Sequence, residues 1–271
     1  MKDQPFREFR VTEFSTDSAD PLQKTDRLAS ETAIALVFNG ISHAVMMASP
    51  ENLIEFATGF SFTEGIINHP DEILDTELVE GESGIEVHLT LTNQQFSMLK
   101  QRRRNLVGRT GCGICGAESL QQVQLPLHPV TSNFTTSHAA ILKATSQLAE
   151  KQPLQNLTGA VHGAAWCDGN GNIKLLREDV GRHNALDKLI GCMLIENSLR
   201  EPGFLLISSR ASYEMLQKAA IADISVVVAV SAATTMAVEI ADQSGICLVG
   251  FSRDSRHLVY SHGEKIAGDQ G

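Results

Sequence analysis

No stretch of this sequence approaches the roughly 18 consecutive apolar residues of a membrane-spanning helix, so no such span is expected. The opening MKDQPFREFRVTEF lacks the apolar core of a secretory signal, which points to a cytoplasmic protein with no membrane partner. Internal repeats and low-complexity tracts are absent. Positive charge is in deficit: the net charge is -10, which argues against a nucleic-acid surface over the whole molecule and leaves any phosphate-bearing ligand to local Arg clusters. Cysteine is sparse and odd in number, five in all, which fits a reducing compartment better than a disulfide framework. What remains is ordinary for a globular protein: 271 residues, 42% hydrophobic and 20% charged, enough for one large or two modest domains with a buried core.

The most telling absence is local. No Asp or Glu occurs between Glu86 and Glu118, and that interval holds Lys100, Arg102, Arg103, Arg104 and Arg109. It also holds Arg109-Thr110-Gly111-Cys112-Gly113-Ile114-Cys115-Gly116, two thiols threaded among three glycines. Glycine removes the side-chain cover that makes a cysteine inert, and nearby cations favour the thiolate, the form that attacks disulfides or binds metal. Three readings stand on the spacing: a reactive thiol on a mobile loop, half of a structural zinc site, or incidental loop cysteines. A zinc module needs two further ligands, and no second Cys-x-x-Cys exists. A thioredoxin-like redox module opens a helix after a strand, whereas this pair follows a polar helix. The arginine run itself reads either as a solvated helix face or as a functional patch.

Around this motif the chain falls into two patterns. The first thirty residues are polar, an arm or edge segment. Thr32–Phe38 and Ile41–Ala48 flank Asn39-Gly40, a strong hairpin signal. Ser49-Pro50 supplies an N-cap and first-turn proline for a helix carrying Leu53, Ile54, Ala57 and Phe60. Ile85, Val87, Leu89 and Leu91 alternate as a half-buried strand, and a polar helix with Phe96 and Leu99 runs into the arginines. Gln121 to Thr136, with two prolines, reads as a connector. Ser137 then caps a helix carrying Ile141, Ala144 and Leu148. Strands are expected at Leu157–Trp166 and Ile173–Leu176, joined by the turn Asp168-Gly169-Asn170-Gly171, followed by a helix from Arg182 to Glu196. Phe204–Ile207, a helix Tyr213–Ala222, Val226–Val230, a helix with Ala233, Met236, Ala237 and Ile240 ending at Gly245, and Ile246–Gly250 complete the series. Apolar strands alternating with amphipathic helices predict an α/β fold whose mostly parallel sheet is covered on both faces. The expected division is an α+β domain over 1–125, ending in the cysteine loop, and a three-layer α/β domain over 126–271.

Parallel sheets bind ligands beyond the carboxyl ends of their strands. Here those ends lead into Ser208-Ser209-Arg210, into Ser231, into Phe251-Ser252-Arg253-Asp254-Ser255-Arg256, and into Arg177-Glu178-Asp179-Val180-Gly181-Arg182-His183. Serines and arginines at one edge suit a phosphate-bearing ligand; each serine taken singly also serves as a helix cap. His183 and Asp187, four apart near a helix start, form either an acid/base pair or ordinary structural residues. Cys167, Cys192 and Cys247 fall in apolar surroundings and read as buried, structural thiols.

The element order over 137–250 is similar to the cytidine-deaminase-like fold, but the zinc chemistry of that fold has no ligands here. Arg182-His183-Asn184 brings no Glu, and Ser208-Ser209-Arg210-Ala211-Ser212 brings no cysteine. The stretch Arg109–Gly116, Thr158-Gly159-Ala160-Val161-His162, Glu178-Asp179-Val180-Gly181-Arg182-His183-Asn184-Ala185-Leu186-Asp187-Lys188 and Ser208–Lys218 together closely resemble the FdhD family of formate dehydrogenase accessory sulfur carriers, from about Glu31 to the C-terminus. The resemblance implies a sulfurtransferase. A cysteine desulfurase loads sulfur as a persulfide on the first cysteine of the motif, here Cys112. The sulfur then passes to the molybdenum cofactor, bis-molybdopterin guanine dinucleotide, before its insertion into formate dehydrogenase. It implies a cofactor loop aligned with Phe251, Ser252, Arg253, Asp254, Ser255 and Arg256, for which GDP is a mimic, and a homodimer. Family members often carry Gly where this chain has Ser255. Cys115 is placed to act as a resolving thiol.

Overall fold

The computed structural model describes residues 4–16, 20–107, 128–253 and 255–267. Cys112, Cys115 and Asp254 lie outside the described residues. The N-terminal arm is a two-stranded antiparallel ribbon, β1 (Phe6–Glu13) and β2 (Leu22–Ala29). Next come β3 (Thr32–Phe38) and β4 (Ile41–Ala48), joined as expected at Asn39-Gly40, whose φ angles of 45° and 77° are those of a type I′ turn. Helix α1 (Leu53–Thr63) follows, then β5 (Ile73–Glu80), β6 (Ile85–Leu91) and α2 (Asn93–Val107). The four strands after the ribbon form one sheet in the order β4-β3-β6-β5. Its core is Ile34, Leu36 and Phe38 of β3 and Val87 and Leu89 of β6, packed on Phe56 and Phe60 of α1.

The later half contains β7 (Thr136–Ser137), α3 (His138–Leu148), α4 (Pro153–Thr158), β8 (His162–Cys167) and β9 (Ile173–Asp179). It continues with α5 (Arg182–Ile195), β10 (Phe204–Ile207), α6 (Tyr213–Ile221), β11 (Val226–Ala229) and α7 (Thr235–Ser244). It ends with β12 (Cys247–Arg253), β13 (Arg256–Ser261) and β14 (Ile266–Ala267), which pairs with β7. Ser137 caps α3 by accepting the Ala140 N–H, and Gly245, at φ 71°, ends α7.

The main sheet has six strands in the order β13-β12-β11-β10-β8-β9. Alternate residues along β8, β10, β11 and β12 divide between its faces. Trp166, Leu205, Ile207, Val227 and Leu248 pack beneath α5, α6 and α7, whereas Cys167, Phe204, Leu206, Val228 and Val249 pack on α3. Three layers result.

Several expectations need correction. The sheet is mixed rather than mostly parallel: β10–β11 and β11–β12 run parallel, while β8–β9, β8–β10 and β12–β13 are antiparallel. Continuous apolar runs mark burial, not strand direction, so the sequence pattern could not separate these cases. Leu157–Val161 is not strand, because Pro153 starts a short helix that closes at Gly159 with φ 67°. Ser49 does not cap α1. Asn52 holds that position without a side-chain bond, and Ser49 is buried elsewhere. Strand β5 went unforeseen because it lies at a sheet edge and exposes most of its residues, so it carries no apolar alternation. No helix among the described residues is long and apolar enough to cross a membrane.

The two sheets are locked together where α1 crosses α5. A methyl group at Gly59 would collide with the Asp187 carbonyl, and one at Gly191 with the Glu55 carbonyl, so the crossing requires both glycines. Sandwiched between α1 and the main sheet, α5 is buried continuously from Asn184 to Leu194, polar residues included.

Candidate functional site

Burying Asn184, Asp187 and Lys188 on one helix demands partners, because an unpaired charge in a core is costly. The Lys188 ammonium lies 2.7 Å from Asp179, with both side chains fully buried, and donates to the Ser49 carbonyl at 2.9 Å. The Asp179 carboxylate also accepts from the N–H groups of Ser49 and Gly181 and from the Asn184 amide. Burial pulls the Lys188 pKa below the usual lysine value, against the opposing pull of Asp179. At the preceding residue of α5, Lys218 of α6 donates to both Asp187 oxygens at 3.0 Å and to Thr63, which itself donates to Asp187. Burial opposes the Lys218 charge, yet Asp187 and Glu64 hold its pKa above the ordinary value; burial also pushes the Asp187 carboxyl up. Glu178 accepts from the Leu154 and Gln155 N–H groups at the start of α4. Most polar residues of segment 178–188 are therefore fastenings between elements.

Asp187 is accordingly no acid/base partner for His183: its carboxylate is committed to Lys218 and Thr63, while the His183 imidazole pairs with Glu214 at 3.0 Å. Helical spacing places two side chains on one stripe without deciding what each one touches.

Arg182 and His183 instead face the carboxyl edge of β10–β12. The strand exits expected there are side by side. The Val230 N–H donates to the Ile207 carbonyl, the Phe251 N–H to the Ser231 carbonyl, and the Thr234 N–H to the Ala211 carbonyl. Strand β8 begins at the same edge, since the Ser208 and Gly163 backbones bond there, and its first residue, His162, stands opposite Asp179. Burial lowers the His162 pKa, with Arg182 adding to the effect and Asp179 opposing it. Burial likewise lowers that of His183 against Glu214, with Arg182, Lys218 and His162 contributing. Both imidazoles are neutral at neutral pH, able to donate and accept hydrogen bonds beside a permanent guanidinium. Among the described residues the Arg182 Nε is buried without a hydrogen-bond partner.

The serines divide between the two readings. Ser208, half-buried, accepts the Gly163 N–H and closes the sheet, and Ser252, fully buried, pairs with Thr145 of α3 at 2.7 Å and does not open to the crevice. Thr234 caps α7. The aligned segment 251–256 is not a free loop: Phe251, Ser252 and Arg253 end β12 and Arg256 begins β13. The hairpin is irregular. The register shifts between Gly250 and Arg253, Phe251 takes φ 51°, and the Arg253 guanidinium lies 5.8 Å from the Phe251 ring centre. Arg253, Ser255 and Arg256 are exposed. The following residue, His257, stacks on His138 of α3, with nitrogens 2.7 Å apart, and pins the hairpin beside its turn. His162 enters the sequence reading only as the end of a family signature, with no role assigned, and the His138–His257 stack was missed, because lone histidines beside apolar strands carry no spacing signal.

A cavity of about 860 Å³ lies at the opposite, amino edge of the strands, lined by Phe62, Trp166, Met193, Leu199 and Asp223. Volume alone does not make it the better site for an anion, since its Arg200 stands among Glu201 and Asp223, whereas the other edge gathers several arginines. Residues 128–132, which follow the stretch bearing Cys112, are tied to this amino edge: the Val130 N–H donates to the Ser244 carbonyl, and the Thr131 N–H to Asp223 at 2.5 Å.

The three described cysteines are buried. Burial raises the Cys192 thiol to about 11 and the Cys247 thiol to about 12, and raises Cys167 further still. None supplies a thiolate near neutral pH.

A model of the FdhD/NarQ family matches residues 29–267. A relative from Acinetobacter baylyi named "Sulfur carrier protein FdhD" is 49% identical over 237 residues, 87% of this chain and 86% of its own. One of the same name from Cupriavidus necator is 48% identical over 241 residues, 89% of this chain and 84% of its own. The crystal structure of a "putative formate dehydrogenase accessory protein" from Desulfotalea psychrophila shares the fold, with a TM-score of 0.75 and 22% identity over 97% of this chain and 100% of that one.

Proposed function

The chain belongs to the FdhD/NarQ family, and from that premise we propose that it is a cytoplasmic sulfur carrier serving formate dehydrogenase, with Cys112 as the carrying thiol. The observation that narrows the residue assignment is elimination: Cys167, Cys192 and Cys247 are buried thiols with raised pKa values, which leaves the Gly-flanked pair Cys112 and Cys115 in its basic surroundings. The family resemblance, in which the first cysteine of the motif carries the sulfur, selects Cys112. In the loading step the Cys112 thiolate attacks the outer sulfur of a cysteine desulfurase persulfide. The desulfurase leaves as thiolate, Cys112 becomes the persulfide, and no net oxidation occurs. Release as sulfide needs two electrons. Cys115 supplies them by attacking the Cys112 sulfur, forming the Cys112–Cys115 disulfide and expelling hydrosulfide, and a cellular dithiol then reduces the disulfide. This group transfer is the sulfurtransferase activity.

The acceptor is the molybdenum cofactor, bis-molybdopterin guanine dinucleotide, as substrate. Its guanine nucleotide end suits the carboxyl edge, where Arg182, His183, His162 and the β12–β13 hairpin lie along the same side of the sheet. On this reading Phe251 and Arg253 offer a stacking wall and Arg256 offers a phosphate contact, while Ser252 fastens the strand to Thr145 and Ser255 is exposed beyond it. We read the chain as an α+β domain over 1–125 and a cytidine-deaminase-like domain over 126–271; the separate cores support this, although the glycine crossing fastens them firmly.

Incubation with a desulfurase and cysteine, followed by intact mass spectrometry, tests the proposal. Wild type gains about one sulfur atom, and Cys112→Ala gains none while keeping its melting temperature. Full loading and full formate dehydrogenase activation by Cys112→Ala would overturn the assignment.

A further inference from the structure

Strand β5 ends the smaller sheet, and among the described residues no strand pairs with its outer side. Its register determines which backbone groups are left open. The Gly81 N–H donates to the Gly84 carbonyl at 2.8 Å, closing the β5–β6 hairpin. Antiparallel strands alternate between bonded and unbonded pairs from such a closure onward. Val79–Glu86, Glu77–His88 and Asp75–Thr90 are therefore the bonded pairs, and Thr76, Leu78 and Glu80 turn their N–H and C=O groups to the open edge. The register shift between Ile73 and Asp75 lies before this stretch and leaves it regular.

The side chains along this edge are apolar and acidic. Leu78 is 46% and Val79 38% exposed. Between Asp71 and Glu86 the chain holds no Lys or Arg. Asp75, Glu77 and Glu80 are exposed and make no ion pair among the described residues, while Glu86 is taken by His88 at 2.7 Å. The two faces of the strand differ. Thr76 and Leu78 stand opposite Leu89 and Val87, on the face that packs on α1, and Asp75 and Glu77 stand opposite Thr90 and His88 on the other. An added antiparallel strand bonds through its residues directly opposite Thr76, Leu78 and Glu80. Those residues share the face of Leu78, and the ones between them lie beside Asp75 and Glu77. Apolar residues at the first positions and Lys or Arg at the second would cover Leu78 and neutralise the carboxylates. A second copy of β5 fails this requirement, because it brings two sets of carboxylates into one ribbon with no cation between them. We propose that the free edge of β5 docks an extended, antiparallel segment of a partner protein in which basic and apolar residues alternate.

The probe is a labelled decapeptide of alternating Lys and Val, titrated into the full chain at low salt and followed by fluorescence anisotropy. Wild type binds it saturably and does not bind a decapeptide of alternating Glu and Val. Charge reversal on the edge (Asp75→Lys/Glu77→Lys) lowers the affinity at least about tenfold and keeps the melting temperature, because both side chains are exposed. Two methylated peptides of equal charge, tested on wild type, separate strand pairing from plain attraction. Methyl groups on the backbone nitrogens of the Val residues remove the donors that face β5 and lower the affinity at least about tenfold. Methyl groups on the backbone nitrogens of the Lys residues point away from β5 and leave it unchanged. No binding of the Lys–Val peptide, equal affinity of the two methylated peptides, or unchanged affinity in Asp75→Lys/Glu77→Lys would each overturn the proposal.

Discussion

In the seam between α1 and α5 every charge is closed off against a counterpart: Asp179 with Lys188, Asp187 with Lys218, Glu55 with Arg177. At the carboxyl edge of the main sheet, reached by the same signature segment, Arg182 and His183 are half-buried, with His183 paired to Glu214, and Arg253 and Arg256 of the hairpin are exposed. Segment 178–188 thus serves two ends. Its inward side chains fix how the halves meet, and its outward ones, Arg182 and His183, lie at the carboxyl edge where we propose a ligand binds. A buried, fully paired network specifies geometry, whereas an incompletely paired cationic rim specifies what comes to it. Substitutions on the two sides should accordingly fail in different ways.

The largest effect belongs to the seam. Lys188→Ala leaves the Asp179 carboxylate buried and unpaired, and chemical denaturation should show a loss of roughly 3–5 kcal/mol, enough to threaten folding. Wild-type stability in that variant would mean that the seam is not a fastening. Next, Arg182→Ala should leave the thermal midpoint within a degree or two while lowering GDP affinity on the order of tenfold, the loss of one charge-assisted contact of roughly 1.5–3 kcal/mol. A collapse of the midpoint without a binding defect would place Arg182 with the seam instead.

How far the sequence announced this division is uneven. The later αβ series was legible because its strands are continuous apolar runs and its helices carry recognisable ends, Ser137 before α3 and Gly245 after α7. The strand exits were legible for the same reason. Their contacts were not: Ser208 and Ser252, alike in sequence context to any site serine, point into the structure to Gly163 and Thr145. Ser49-Pro50 reads locally as a helix start, yet its distant bonds to Asp179, Val180 and Lys188 decide its role. Residues that act through partners more than a hundred positions away leave no periodic trace.

Smaller effects sharpen the contrast further. Replacing Cys167, Cys192 or Cys247 by Ala should cost roughly 1 kcal/mol each through lost packing and leave persulfide loading intact. A loading defect in any of them would undo the elimination argument. The dependence on acid carries a definite sign. Burial depresses the folded pKa of His162, His183 and His257, so the unfolded chain takes protons first. Their contribution is neutral above the unfolded value of about 6.5 and destabilising as pH falls below it. Denaturation midpoints should decline through that window, and less so in His257→Gln. Stability rising between pH 7 and 5.5 would contradict the burial of these rings.

The most direct measurement is a calorimetric titration of GDP into wild type and into Arg253→Ala/Arg256→Ala, both first shown to accept persulfide sulfur on Cys112. The account predicts intact loading and a GDP affinity lower on the order of tenfold or more in the variant, since exposed hairpin arginines are lost while the fold and the thiol are untouched. Unchanged GDP affinity would contradict it and remove the hairpin from the nucleotide site.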